Sequence, residues 1–288
     1  MAEQNAASVF DSTDEIAWCP GCGNFPILKS LKQALFDLGK QPDQVLIASG
    51  IGQAAKLPHY IKVNGFNGLH GRALPPAIAA KIVNPGLTVL VNTGDGDSYG
   101  EGGNHFLHNI RRNVDITHLV HNNQIYGLTK GQASPTTDLG QVTGVQTLGN
   151  IDQPLDPVLM AIAVGASFVA RGFAGEPEHL TELIKAAIEH KGYALLDILQ
   201  PCVSFNKVNT YDWYRERVYR LGDDYDRTSW QQAMAKAAEW GSKIPIGILY
   251  QIDKPTFADR LTWLKNSPHL VDRQWEPKDA EHFMQELD

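Results

Sequence analysis

An aspartate held between two glycines, Asp95 in Gly94-Asp95-Gly96, comes just after the apolar run Leu87-Thr88-Val89-Leu90-Val91. A carboxylate at the end of a buried strand can reach a hard divalent cation, and glycines leave room for phosphate oxygens to approach the backbone. The stretch GDGDSYGEGG, Gly94 to Gly103, does not read G-x-G-x-x-G and has no Gly-Lys-Ser/Thr, which disfavours a dinucleotide or ATP site. Gly94-Asp95-Gly96 is followed by 25 residues, Asp97 to His121, and then by Asn122-Asn123. That length suits one helix-and-strand crossover, which would return the chain alongside its own start and set Asn123 beside Asp95. Carboxylate and carboxamide oxygens on a diphosphate are magnesium chemistry. The bland alternative is a glycine-rich turn with the two asparagines as helix caps; both halves at this spacing favour the diphosphate site.

Three cysteines, Cys19, Cys22 and Cys202, are too few and too odd in number for a disulfide framework. Cys19 and Cys22 in CPGCGN have the spacing to clasp one face of a metal or an iron-sulfur cluster. Taken alone, the pair leaves a redox dithiol, a zinc half-site and plain core cysteines open.

The elements that must position these residues follow from periodicity. Ile27, Leu28, Leu31, Leu35 and Leu38 recur at helical spacing before Gly39, and Val45 to Ala48 reads as a short buried strand. Leu87 to Val91, Ile116 to Val120, Ser167 to Ala170 and Ala194 to Leu199 read as further strands. Helices are expected over PPAIAAKIV, over Glu101 to Arg112 and from Pro177. The predicted fold class is therefore α/β, a parallel sheet flanked by helices on both faces. Ligands of such sheets gather at the carboxyl ends of strands, where the glycines, Asp95, the asparagines and Cys202 all fall. Residues 1–205 read as this domain. Residues 206–288, with a helix near Gln231 to Trp240, read as a C-terminal arm more than a second core.

Composition bounds the partners. A net charge of -7 without a Lys/Arg cluster disfavours nucleic acid, and 43% hydrophobic content in 288 residues supports a large core. The polar N-terminal stretch lacks the features of a secretory signal and no apolar run could span a bilayer, so a soluble, cytoplasmic protein without a membrane partner is expected.

The GDG…NN pair resembles the thiamine diphosphate signature. With CPGCGN, LHGRALP (Leu69 to Pro75), NNQIYGLTKGQ (Asn122 to Gln132) and PCVSFNKVNTYDW (Pro201 to Trp213), the chain resembles the β subunit of 2-oxoacid:ferredoxin oxidoreductases from about Trp18 to Trp213. The 2-oxoglutarate type is the nearest. The resemblance implies a thiamine diphosphate-binding fold with magnesium held by Asp95, Asn123 and the carbonyl of Ile125. It places Gly94, Gly96, Asp97, Gly127, Leu128, Cys22 and Gly23 against the cofactor. It further implies a four-iron cluster on Cys19, Cys22 and Cys202, whose fourth family ligand is a cysteine in a GIGC segment. This chain has Gln53 there, in Gly50-Ile51-Gly52-Gln53, and a glutamine is a poor ligand for iron, so a non-cysteine ligand such as His59 or an exogenous one, a three-iron cluster, or an empty site are the readings.

Lys56 and Lys130, with Leu128 between their loops, are expected to face the substrate, where a lysine would suit the second carboxylate of 2-oxoglutarate. His70 and Arg72 are candidates to contact the cofactor or the substrate carboxylate, while His105 and His108 share a helix face without a carboxylate partner in view. The implied reaction takes a 2-oxoacid, coenzyme A and oxidised ferredoxin to acyl-CoA, carbon dioxide and reduced ferredoxin. The resemblance also implies an α subunit as partner, in a heterotetramer of two αβ pairs, because this chain reads as the diphosphate-gripping domain alone and the activating glutamate, the coenzyme A site and the remaining substrate contacts would come from the α subunit. The alternatives are a thiamine-dependent decarboxylase subunit without electron transfer, and a non-catalytic subunit.

Overall fold

A computed structural model describes residues 6–274 and 276–281. The first helix, α1 (Asn24–Asp37), ends where Gly39 takes a left-handed φ of 65°, and its buried stripe is the expected Ile27, Leu28, Leu31 and Leu35. Strands β1 (Val45–Ser49), β2 (Asn64–Asn67), β3 (Thr88–Gly94) and β4 (Ile116–Asn122) follow. Then come β5 (Phe168–Phe173), β6 (Tyr193–Leu199), β7 (Val218–Arg220) and β8 (Ile244–Gln251). They form one eight-stranded sheet in the order β2-β1-β3-β4-β6-β5-β8-β7. Every pairing is parallel except β5 with β8.

Helices cover both faces because β3 to β6 are buried along almost their whole length and cannot leave either face to water. On one face α1 packs against α5 (Pro177–Glu189). On the other lie α2 (Leu74–Val83), α3 (Gly103–Arg112), α4 (Pro157–Ala163) and, further along the chain, α7 (Trp230–Ala237), which follows the short α6 (Tyr211–Arg215). Among the described residues no helix is long and apolar enough to cross a membrane.

Three features depart from the periodic reading. β2, whose four residues NGFN are all exposed, is an edge strand without an apolar signal. The helix expected from Glu101 is preceded by a π-helical turn, Gly96–Glu101, so the loop behind Asp95 is wound rather than open. Residues 206–251, read from sequence as an arm, run through β7, α7 and β8. Since β8 pairs with β5 and buries Ile244, Ile246 and Leu249, this segment shares the main sheet and core.

Candidate active site

The neighbouring strands β1, β3, β4 and β6 end at one edge, with Gly94 opposite His121 and Asn122 opposite Leu199. Asp95 lies one residue past β3 and is 2% exposed. Its Oδ2 accepts hydrogen bonds from Ser134 Oγ at 2.5 Å and Thr136 Oγ1 at 2.7 Å. Sequence reasoning passed over both hydroxyls, because nothing in their spacing ties residue 134 or 136 to residue 95. Burial pushes the Asp95 carboxyl above its ordinary range, and among the described residues no cation pairs with it. A buried carboxylate with two hydroxyl donors and no countercharge fits a site for a divalent cation.

Asn123 is half-buried past the end of β4, and its Oδ1 accepts from the Ile125 amide at 3.0 Å. Between them Gln124 adopts a left-handed φ of 56°, a conformation costly for a residue with a side chain. Its carboxamide is held by the Tyr214 hydroxyl at 2.8 Å and the Thr136 carbonyl at 2.9 Å, which fixes the turn. Among the described residues no three His, Cys, Asp or Glu side chains converge on one ion. The expected magnesium set of one carboxylate, one carboxamide and one carbonyl is of a different kind, with a single charged ligand.

Asp97 is also buried. Its Oδ1 accepts from the Gly71 amide at 2.7 Å and lies 3.4 Å from His70 Nδ1, and burial raises the carboxyl to about 6. Gly50 at the end of β1 makes room for it: a Cβ there would lie 2.1 Å from Asp97 Oδ2. Arg72 does not join this group; it is exposed and within 2.6 Å of His105 Nε2, a partner the sequence did not reveal. Lys56 is half-buried in the 3-10 segment Ala54–Tyr60, whereas Lys130 is exposed at a left-handed turn, as Leu128 is exposed before it. Neither lysine has an ion pair among the described residues.

The three cysteines face one space, although they are not drawn tightly enough to share a single metal ion. Cys19, Cys22 and Cys202 line one cavity with Gln53, Asn123 and Gly127. Cys22 is almost fully buried, and desolvation pushes its thiol up to about 11, so it is a poor free nucleophile. The loop is fastened to the end of β6 by the Gly23 amide on the Pro201 carbonyl at 3.3 Å and by Gln200 Nε2 on Cys22 Sγ at 3.4 Å. Gly23 permits this approach: a Cβ would stand 2.7 Å from Gln200 Cγ and 3.2 Å from the Pro201 nitrogen. Gly23→Ala is therefore expected to cost about 1–3 kcal/mol, read as a lowered denaturation midpoint. An unchanged midpoint would mean that the contact is slack. His59 is exposed and does not line this cavity.

Behind the asparagines lies a buried network. Asp197 on β6 accepts from Tyr99 Oη at 2.8 Å and from Asn122 Nδ2 at 3.2 Å. Burial, only partly offset by Arg171, raises its carboxyl from the ordinary 3.8 to about 6. The folded state then binds more protons than the unfolded one between these values. This group's effect on stability is thus most favourable below the lower value, declines as pH rises through about 6 and is constant above. The swing is roughly 3 kcal/mol. Asp197→Asn is expected to remove its share of that decline in urea unfolding at acid and neutral pH; an unaltered slope would mean that Asp197 does not titrate there.

A parallel sheet with a buried aspartate and a turn-held asparagine at the ends of adjacent strands defines a thiamine diphosphate-binding domain. Residues 45–198 match the model of the thiamine pyrophosphate enzyme C-terminal TPP-binding domain, and residues 202–266 match that of the C-terminal part of the pyruvate ferredoxin oxidoreductase β chain. The chain belongs to the β subunits of the 2-oxoacid:ferredoxin oxidoreductases. It is 46% identical over 272 residues to the 2-oxoacid:ferredoxin oxidoreductase subunit beta of Saccharolobus solfataricus, covering 88% of each chain. It is 44% identical over 197 residues to the 2-oxoglutarate oxidoreductase subunit KorB of Mycobacterium tuberculosis, covering 68% of this chain and 53% of that one. A solved structure, the 2-oxoglutarate:ferredoxin oxidoreductase from Magnetococcus marinus with 2-oxoglutarate, coenzyme A and succinyl-CoA bound, superposes with a TM-score of 0.90 at 35% identity. The superposition covers 98% of this chain and 96% of the matched one. The chain is thus a subunit of an oxidoreductase.

Proposed function

We propose that this chain, joined to an α subunit in a heterotetramer of two αβ pairs, converts 2-oxoglutarate and coenzyme A to succinyl-CoA and carbon dioxide and passes the electrons to ferredoxin. The observation that carries the reading is the shared cavity: Asn123 and Gly127 of the diphosphate turn line the same space as Cys19, Cys22 and Cys202. Thiamine diphosphate held at this turn would supply the decarboxylation chemistry, and an iron-sulfur cluster on the cysteines would supply one-electron transfer.

The chain's own groups hold and orient. Asp95, polarised by Ser134 and Thr136, is the anionic magnesium ligand, with Asn123 and the Ile125 carbonyl completing the protein's share. Gly94 and Gly127, where a Cβ would meet nothing closer than 3.8 Å, leave the backbone open to the diphosphate, whereas Gly96 makes room for the Tyr126 ring, 2.2 Å from where its Cβ would stand; Gly23, Cys22 and Leu128 are assigned beside the cofactor. Asp97, kept by burial in the range where it can hold a proton, sits with His70 between the turn and the β1 loop. Lys56 and Lys130, which have no ion pair among the described residues, are the candidates for a dicarboxylate's distal group, and Arg72 for a carboxylate after releasing His105. Support for the dicarboxylate comes from the Magnetococcus marinus enzyme, which carries 2-oxoglutarate, coenzyme A and succinyl-CoA.

The test is the αβ complex, purified without oxygen and assayed for ferredoxin or methyl viologen reduction. Reduction that requires both 2-oxoglutarate and coenzyme A, and is missing from the β chain alone, is expected. Decarboxylation without electron release would leave a thiamine-only decarboxylase instead. Preference for pyruvate would overturn the dicarboxylate assignment.

A further inference from the structure

The cysteine cavity holds more carboxamides than a thiol pocket needs. Asn24, Gln53 and Gln200 all line it, and each buries one polar atom without a hydrogen-bond partner: Asn24 Nδ2, Gln53 Oε1 and Gln200 Oε1. Three such orphans around one small space are costly unless something polar fills it. They are not equivalent. Gln200 commits its Nε2 to Cys22 Sγ and the Pro201 carbonyl, and so acts on a thiol. Asn24 leaves a nitrogen without an acceptor, since its Oδ1 is taken up 2.7 Å from His121 Nδ1. Gln53 alone offers a buried oxygen from a side chain with no other hydrogen bond.

Gln53 is also held in place from both sides. Its carbonyl accepts from the indole of Trp18, the residue before Cys19, at 2.8 Å, and the next carbonyl, of Ala54, accepts from Asn92 Nδ2 at 2.8 Å. Trp18 is clamped edge-on between Phe25 and Tyr60, with ring centroids 5.5 and 4.8 Å away. The backbone of residue 53 is therefore fastened to the residue that precedes the cysteine loop.

We propose that Gln53 presents its Oε1 to the one iron of the cluster that no cysteine reaches, giving a four-iron cluster with one weakly held, exchangeable corner. This rests on the cluster assignment above and specifies its fourth ligand. Iron in such clusters favours thiolate, and a neutral carboxamide oxygen is a harder and weaker donor. The corner iron is thus the first to leave: on mild oxidation the site gives up one Fe2+ and one electron, the electron passing to a one-electron acceptor such as ferricyanide, and a three-iron cluster stays on Cys19, Cys22 and Cys202.

The experiment uses the anaerobic αβ complex as wild type, Gln53→Cys and Gln53→Ala, with iron and sulfide analysis and EPR before and after one equivalent of ferricyanide. Wild type is expected to release one iron per cluster and to show the three-iron signal, reversed by Fe2+ and dithionite. Gln53→Cys is expected to keep all four irons, with release at least about tenfold slower, in line with the effect of ligand changes on metal sites, and Gln53→Ala to lose its iron faster than wild type. A wild-type cluster that keeps its fourth iron as well as Gln53→Cys does would overturn the proposal. So would a three-iron signal indifferent to residue 53. No iron in wild type but four in Gln53→Cys would overturn it while sparing the cysteine assignment, whereas no iron in any form would sink the cluster reading itself.

Discussion

Replacement of Asp95 by Asn is expected to lower 2-oxoacid-dependent turnover by more than about 100-fold, since losing even an outer partner of a metal ligand costs 10–100-fold. The carboxylate is 2% exposed and takes two hydroxyl donors on Oδ2. The asparagine oxygen can accept the same two bonds, so the fold should survive while the charge is lost. The sign of the stability change separates this from misfolding. Because burial raises the Asp95 carboxyl above its unfolded value, the ionised form destabilises the cofactor-free chain, and that penalty grows as pH rises through the raised value. Without cofactor, Asp95→Asn should therefore melt no lower than wild type at neutral pH. With magnesium and thiamine diphosphate, wild type should gain stability by mass action and the variant should not. An equal gain in both would remove Asp95 from the metal.

Cys202→Ser should separate the two halves of the chemistry. Cys202 stands at the end of β6, and its Sγ would be 3.8 Å from a Cβ on Gly127, so the thiol lies against the diphosphate turn. Serine nearly preserves the volume but offers a hard oxygen in place of a thiolate. Ferredoxin reduction should fall by more than about 100-fold, with loss of iron, on the same scale of ligand effects. The melting gain from magnesium and thiamine diphosphate should persist, because Asp95 and Asn123 are untouched. Electron transfer at the wild-type rate with full iron content would exclude Cys202 as a ligand. Loss of the thiamine-dependent gain would mean that the cysteine loop supports the diphosphate turn itself.

Much of this arrangement is written in local sequence. Strand ends, the crossover between Asp95 and Asn123 and the cysteine pair are set by apolar periodicity and short spacings, which fix backbone conformation and facing within one element. The stripe of α1 and the buried β3, β4 and β6 lie where those periods place them. What periodicity could not carry is which distant loops meet. Ser134 reaches Asp95 across 39 residues, Trp18 holds Gln53 across 35, and Gln200 reaches Cys22 across 178.

Those meetings depend on strand order, the last of them on β6 lying next to β4 while β5 lies beyond it. Strand order is decided by how the whole chain buries both faces of its sheet, a global balance of packing that no short window contains. The same balance draws β8 into the sheet antiparallel to β5. The sequence by itself thus determined the class of cofactor site and the residues at its strand ends. The tertiary structure alone decided their supports, the hydroxyls on Asp95 and the carboxamides around the cysteines, because those come from elements adjacent in space and remote along the chain.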